Sequence, residues 1–316
     1  MRAPTTTTPA ARQPASRLGR VPKTTVLLFM LPALTLYGVF VIYPIIQSLR
    51  YSFYDWNGLE PLDNFVGLDN FRRAWSDQLF RDALSHNVII LVLSVFLQVP
   101  FALGLALLLN SRIHGRAILR TLFFAPYVLS EVVTGVVWRQ ILRPDGLLDQ
   151  GLDAVGATGL THEWLADPEL VLYSLFFIIS WKYFGFHMVI ILAGLQQLPR
   201  ELHEAASIDG ASSWQSFRYI TLPLLGPTLR VSLFLSIIGA LQLFDLVYII
   251  WGQYVASTAG TSTMATYMVT EGRNAGNYGY GNAVAVVLFV ISLFIALLYQ
   301  RFVLRRDTEG ALTEGT

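Results

Sequence analysis

The chain of 316 residues has no cysteine, which excludes disulfide staples, thiol nucleophiles and cysteine-ligated metals. Charge is scarce as well. Asp, Glu, Lys and Arg make up 14% of the residues, against about a quarter in soluble domains. The 22 basic and 21 acidic residues leave a net charge of +1, and no basic patch interleaved with aromatics occurs. Nothing therefore points to nucleic acid as a partner. A phosphate loop of the form G-x-x-x-x-G-K-[ST] is also missing, so any nucleotide-driven work has to be done by another chain. No Ser–His pair or pair of aspartates is spaced for catalysis, and no cofactor is expected.

What is abundant is apolar: 54% of residues, with a mean hydropathy of +0.52. These residues gather in blocks of twenty or more, the pattern of membrane spans. Six spans are read, over residues 24–49, 87–109, 118–142, 170–195, 227–251 and 282–304. Inside a bilayer only helices and closed barrels satisfy the backbone, and these runs are too long and too evenly apolar for barrel strands. The expected fold is all-α. Residues 1–23, rich in Thr, Pro, Ala and Arg, form a disordered tail, 24–304 the membrane domain, and 305–316 a second tail. The first apolar run has internal Pro32 and Pro44 and no small-x-small site at its end, so it reads as a retained span.

Basic residues near span ends set the orientation. Arg2, Arg12, Arg17, Arg20 and Lys23 precede the first span, Arg112 and Arg116 lie in the second loop, and Arg301, Arg305 and Arg306 follow the last span. The first and third loops carry acids instead, among them Asp55, Glu60, Asp63, Asp145, Asp149, Asp153 and Glu163. Both termini are expected in the cytoplasm, and with them the loop 199–226.

That loop, polar and alanine-rich, is the exception in a greasy chain. Pro199 opens a short helix and Gly210 closes it. Leu202, Ala205, Ala206 and Asp209 share one face. Ser212 and Gln215 have capping-box spacing for a second helix, with Trp214 and Phe217 on its apolar side. One reading is a helix lying on the membrane surface. The small-residue face argues instead for insertion into a protein groove, since surface anchors are rich in large apolar and basic residues.

The run Glu204-Ala205-Ala206, Asp209-Gly210-Ala211, Phe217, Ile220, Leu222-Pro223 and Pro227 resembles the EAA loop of ATP-binding-cassette importer permeases. The likeness extends through "LPALTLYGVFVIYPIIQSL", "NFVGLDNF", "ALLLNSRIHGRAILRTLFFAP" and "VVWRQILRPDGLLD", and the group it is most similar to is the carbohydrate uptake permeases of the maltose and glycerol-3-phosphate type. The resemblance implies a type I importer fold in a bacterial cytoplasmic membrane. It also implies a second permease subunit, two copies of a cytoplasmic ATPase that binds the ATP, and an external sugar-binding protein. Glu204, Ala205, Ala206, Asp209, Gly210 and Phe217 would then dock on the ATPase. Glycerol-3-phosphate or another small solute is the alternative cargo.

Ionisable groups inside spans are candidates for function. Glu131 lies near the middle of the third span and Lys182 and His187 within the fourth. Lys182 either lines the pathway or pairs across the bundle. His187 lacks a second His or acid at i+3 or i+4 and reads as packing rather than a metal ligand. In the fifth span Gln242, Asp245 and Tyr248 recur every three residues on one helix face. An amide, a carboxylate and a ring suit a sugar, and they equally suit interhelical packing.

Overall fold

The computed structural model describes residues 23–304 except 112 and 259. The expected tails, apart from Lys23, lie outside the described residues. Among the described residues all regular structure is helical, and the one extended pairing is a single bridge between Tyr54 and Phe65. By compactness the chain divides into residues 1–47 and 48–316.

Five helices are long and apolar enough to cross a bilayer: α1 (Thr24–Tyr51), α3 (Gln78–Asn110), α7 (Val171–Gln196), Gly226–Gly252 and Tyr278–Val303. A sixth crossing exists only if two helices count as one. The third span, expected to run unbroken over 118–142, is α4 (Arg116–Val128) followed by a helical segment that starts at Glu131, and the two meet at 98°. This corrects the sequence reading. Pro126 in the last turn of α4 removes a helix donor, and Ser130 restarts the chain as the N-cap of α5 (Glu131–Leu142), its hydroxyl accepting from the Val133 N–H at 3.2 Å. The fifth span is interrupted too. Here α10 (Gly226–Leu241) ends, Gln242, Leu243 and Phe244 are non-helical, and α11 (Asp245–Thr258) begins. Other helices include α2 (Asp69–Ser76), α6 (Leu147–Ala154), α8 (Arg200–Ile208), α9 (Ser213–Ser216), α12 (Met264–Val269) and α13 (Tyr278–Tyr299).

Three wide helical turns follow one rule. Gly38–Ile42, Ser94–Gln98 and Phe217–Thr221 are π-helical, and each ends two residues before a proline: Pro44, Pro100 and Pro223. A proline inside a helix supplies no N–H and crowds the carbonyl four residues back. The residue just before each proline (Tyr43, Val99, Leu222) instead donates to the carbonyl five back, on Gly38, Ser94 and Phe217. The widened turn makes room for the ring without ending the helix.

Within residues 48–316 the core is organised around α7. This helix is apolar on all sides, as a central helix should be. Its N-terminal half packs Leu175 and Ile178 with Ile90 and with Leu246, Val247 and Ile250 of α11. Its C-terminal half packs Met188, Ile191 and Leu195 with Val99, Ala102 and Ala106 of α3. Gly185 lets α7 touch α4 backbone to backbone, because a Cβ there would collide with the Phe123 carbonyl oxygen. A third cluster joins α2, α3, α12 and α13 through Ala74, Phe80, Tyr267 and Val284. There the Tyr267 hydroxyl donates to Asp77 at 2.7 Å and lies 3.0 Å from the Tyr280 hydroxyl. Burial, with those two partners, raises the Tyr267 phenol far above its ordinary ionisation range.

Candidate functional site

The two broken spans face each other across a cavity of about 300 Å³. Each break frees backbone groups that water would satisfy at a surface but that need protein partners inside a bundle. The two are satisfied differently.

At the first break, Lys182 of α7 donates to the Leu129 carbonyl at 2.6 Å and lies 3.6 Å from Glu131 Oε1. The Tyr183 hydroxyl donates to the same oxygen at 2.6 Å. Lys182 is only 2% exposed. A cation at the C-terminal end of α4 and an anion in the first turn of α5 each suit the local helix dipole. The break is thus held by an ion pair between a buried lysine and a half-buried glutamate, and Glu131 sits at a helix start rather than mid-helix as the sequence suggested. Its second oxygen is buried without a partner.

At the second break the caps are neutral. The Asn87 amide, fully buried, donates to the carbonyls of Ala240 (2.7 Å) and Leu241 (3.4 Å), while its oxygen accepts from the Met264 N–H at 2.9 Å. The Thr263 hydroxyl donates to the Leu243 carbonyl at 2.6 Å. Asp245 stands exposed in the first turn of α11.

Of the candidates read from sequence, the cavity wall includes Glu131, His187, Gln242 and Asp245, but neither Lys182 nor Tyr248. Lys182 lies behind the wall, bonded as described. The expected shared helix face of Gln242, Asp245 and Tyr248 does not exist, because the helix is interrupted between the first two. The Tyr248 ring instead stacks on Phe244, centroids 5.1 Å apart. His187 accepts or donates through Nδ1 to the Ser232 hydroxyl at 2.8 Å and is 4% exposed.

Sequence reading missed Ser94, Gln98, Tyr127, Tyr183, Phe186, Ser236 and Phe244, all on the wall. Ser94, Gln98 and Ser236 were detectable as polar residues inside apolar runs. Tyr127 stacks on Phe186 with centroids 4.7 Å apart, and its ring is 6.0 Å from that of Tyr183. The wall therefore combines flat aromatic faces with amide, hydroxyl and carboxylate groups. That chemistry suits a ligand with hydroxyls around apolar C–H faces, held by hydrogen bonds and ring contact. Among the described residues no group of acids and histidines could hold a metal.

The polar loop forms the helices expected of it, with one shift: Pro199 is the N-cap of α8, and Arg200 its first residue. Gly210 adopts φ +78°, Ala211 N–H donates to the Ala206 carbonyl (2.9 Å) and Gly210 N–H to the Ser207 carbonyl (3.2 Å). This is a Schellman stop, which favours glycine at that position. Ser212 and Gln215 form a full capping box. Glu204, Ala205, Asp209 and Gly210 are exposed. Ala206 is not on their face, being buried, and Phe217 is half-buried with its ring 5.5 Å from that of Trp214. Large apolar side chains project outward instead: Ile208 is 87% exposed and Tyr219 75%.

Residues 79–307 match the family described as binding-protein-dependent transport system inner membrane component. The chain is 35% identical over 277 residues to the lactose transport system permease protein LacF of Rhizobium radiobacter, covering 86% of this chain and 90% of that one. It is 33% identical over 275 residues to the trehalose/maltose transport system permease protein MalF of Thermococcus litoralis, covering 87% and 92%. Among solved structures it is similar to a chain of a bacterial ABC transporter involved in the import of the acidic polysaccharide alginate. There the TM-score is 0.78 and the identity 25%, with 90% of this chain and 96% of that one covered. Discontinuous helices are common in ion-coupled secondary transporters as well, so the two breaks do not by themselves identify the class of transporter.

Proposed function

The chain belongs to the binding-protein-dependent transport system inner membrane components, and on that premise we propose that it is one membrane-spanning subunit of an ATP-driven carbohydrate importer. A second permease, two copies of a cytoplasmic ATPase and an external sugar-binding protein complete the assembly. The chain binds no nucleotide itself. Both termini and the loop 199–226 lie in the cytoplasm, in keeping with the basic residues beside those span ends.

One observation carries the cargo reading: the two broken spans converge on a cavity lined by Tyr127, Phe186, Gln98, Gln242 and Asp245. The names of the lactose and trehalose/maltose relatives agree with a sugar. A phosphorylated solute such as glycerol-3-phosphate is less suited, because Lys182, the cation beside the cavity, is already bonded to Leu129 and Glu131.

The loop 199–226 is the contact with the ATPase. Its exposed Glu204, Ala205, Asp209 and Gly210, with Ile208 beside them, form a small knob carrying apolar surface outside the spans. Ala206 and Phe217 serve that contact from behind, packing the knob onto its own chain. ATP-driven closure of the ATPase pair moves the knob, and rigid-body rocking of the helices opens the cavity to alternate sides.

Glu204→Lys reverses a charge at this contact, where like charges cost up to several kcal/mol. The variant should insert normally, lose copurifying ATPase and lose uptake. Unchanged transport by Glu204→Lys sinks the docking role. Labelling of Ser213→Cys from outside intact cells sinks the orientation.

A further inference from the structure

The charges beside the cavity do not cancel. Lys182 has a side chain only 3% exposed and is bonded to the Leu129 carbonyl and paired with Glu131. That cation is therefore committed to the first break, and the pair it forms is neutral as a unit. The second break is capped by Asn87 and Thr263, which bring no charge. Asp245 is exposed on the cavity wall, and among the described residues no cation lies within ion-pair distance of it. No lysine or arginine lines the cavity. The other titratable groups on the wall are Glu131, paired with Lys182 and bonded by Tyr183, then Tyr127, Tyr183 and His187, the last buried and bonded to Ser232.

We infer that Asp245 gives the cavity one uncompensated negative charge, and that this charge makes the site selective for neutral carbohydrates over anionic ones such as uronates, sulfonates and sugar phosphates. The inference rests on the reading of this cavity as the cargo path. The physics is a contrast of two ligands of one shape. A hydroxyl near Asp245 donates a charge-assisted hydrogen bond, whereas a carboxylate in its place meets a like charge that the partly enclosed cavity screens less than bulk water would. The fold does not decide this. The alginate importer, whose fold this chain shares, serves an acidic polysaccharide, so the selectivity inferred here rests on the residues of this wall and not on the fold.

The test uses the assembled complex in proteoliposomes at pH 8, where a solvated histidine is neutral, with the external binding protein omitted so that its own selectivity is not read. Equilibrium binding of radiolabelled lactose, maltose and trehalose is compared with that of their uronic acid analogues, in which one hydroxymethyl is a carboxylate. For at least one sugar, the wild type should bind the uronate about tenfold or more weakly than its neutral parent, the ratio expected of like charges several ångströms apart at an effective dielectric near 20. Asp245→Asn should shrink that ratio to within about twofold, and Asp245→Ser should do the same should the asparagine variant assemble poorly. Equal binding of a bound sugar and its uronate by the wild type overturns the inference and leaves the cargo cavity standing, as does a ratio that survives both substitutions. If none of the sugars binds the wild type, the cavity reading falls and takes the inference with it.

Discussion

The two breaks solve one problem with opposite chemistry. Where α4 ends, orphaned backbone is met by a charged side chain, Lys182, whose burial is balanced by Glu131 at 3.6 Å. Where α10 ends, it is met by the neutral amide of Asn87, which also holds the Met264 N–H. A charged cap binds more strongly but requires a counter-charge, since an isolated buried ion is costly. A neutral cap requires none. The first break is therefore closed electrostatically, and the second leaves its acid, Asp245, facing the cavity. Structure is held at one break and chemistry is available at the other.

This comparison is broken most severely at the ion pair. Lys182→Met leaves the half-buried Glu131 carboxylate and the Leu129 carbonyl without their cation, a loss toward the low end of the about 3–5 kcal/mol that removing one partner of a fully buried pair costs. Assembled complex should be largely lost from detergent extracts. The double substitution Lys182→Met with Glu131→Gln should recover part of it, because no charge is then left alone. A double variant no better than the single one would mean that the pair is not what holds the break.

Next in size is the neutral cap. Asn87→Ala leaves the Ala240 carbonyl and the Met264 N–H without partners, on the order of 1–3 kcal/mol for each buried group. The thermal midpoint of the purified complex should fall, and Asn87→Asp should lower it further, because a fully buried carboxylate would then face the Ala240 carbonyl with no cation beside it. Equal midpoints for Asn87→Ala and wild type would remove Asn87 from the account.

The smallest effect belongs to Tyr248. Its ring stacks on Phe244 and does not reach the cavity wall, so Tyr248→Phe should change uptake by less than about twofold, as expected of a substitution that preserves packing. A tenfold loss would restore the hydroxyl to the pathway.

How far the sequence carried the reading follows from which forces are local. The loop's helices were legible, because Gly210 at a helix stop and Ser212 with Gln215 in a capping box act within a few positions, whereas the burial of Ala206 depends on tertiary packing. The spans were legible as apolar blocks. The first break was signalled by Pro126 followed by Ser130-Glu131, a helix stop and start inside one apolar run, yet the run's length masked it. The second carried no comparable signal. It exists because Asn87 and Thr263, distant in sequence, supply its caps, and so an i, i+3 face was read where the helix does not continue. The wall residues Tyr127, Tyr183 and Phe186 look like ordinary packing until the fold brings them together.

The central claim is that the space between the breaks carries the cargo, and Asp245→Asn tests it most directly, because it keeps shape and removes only charge. The quantity to measure is sugar uptake per assembled complex. A lost charged hydrogen bond is worth about 1.5–3 kcal/mol, so uptake of a neutral sugar per complex should fall roughly tenfold to a hundredfold. Unchanged uptake per complex, with transport lost only in proportion to complex lost, would contradict the account and make Asp245 a packing residue.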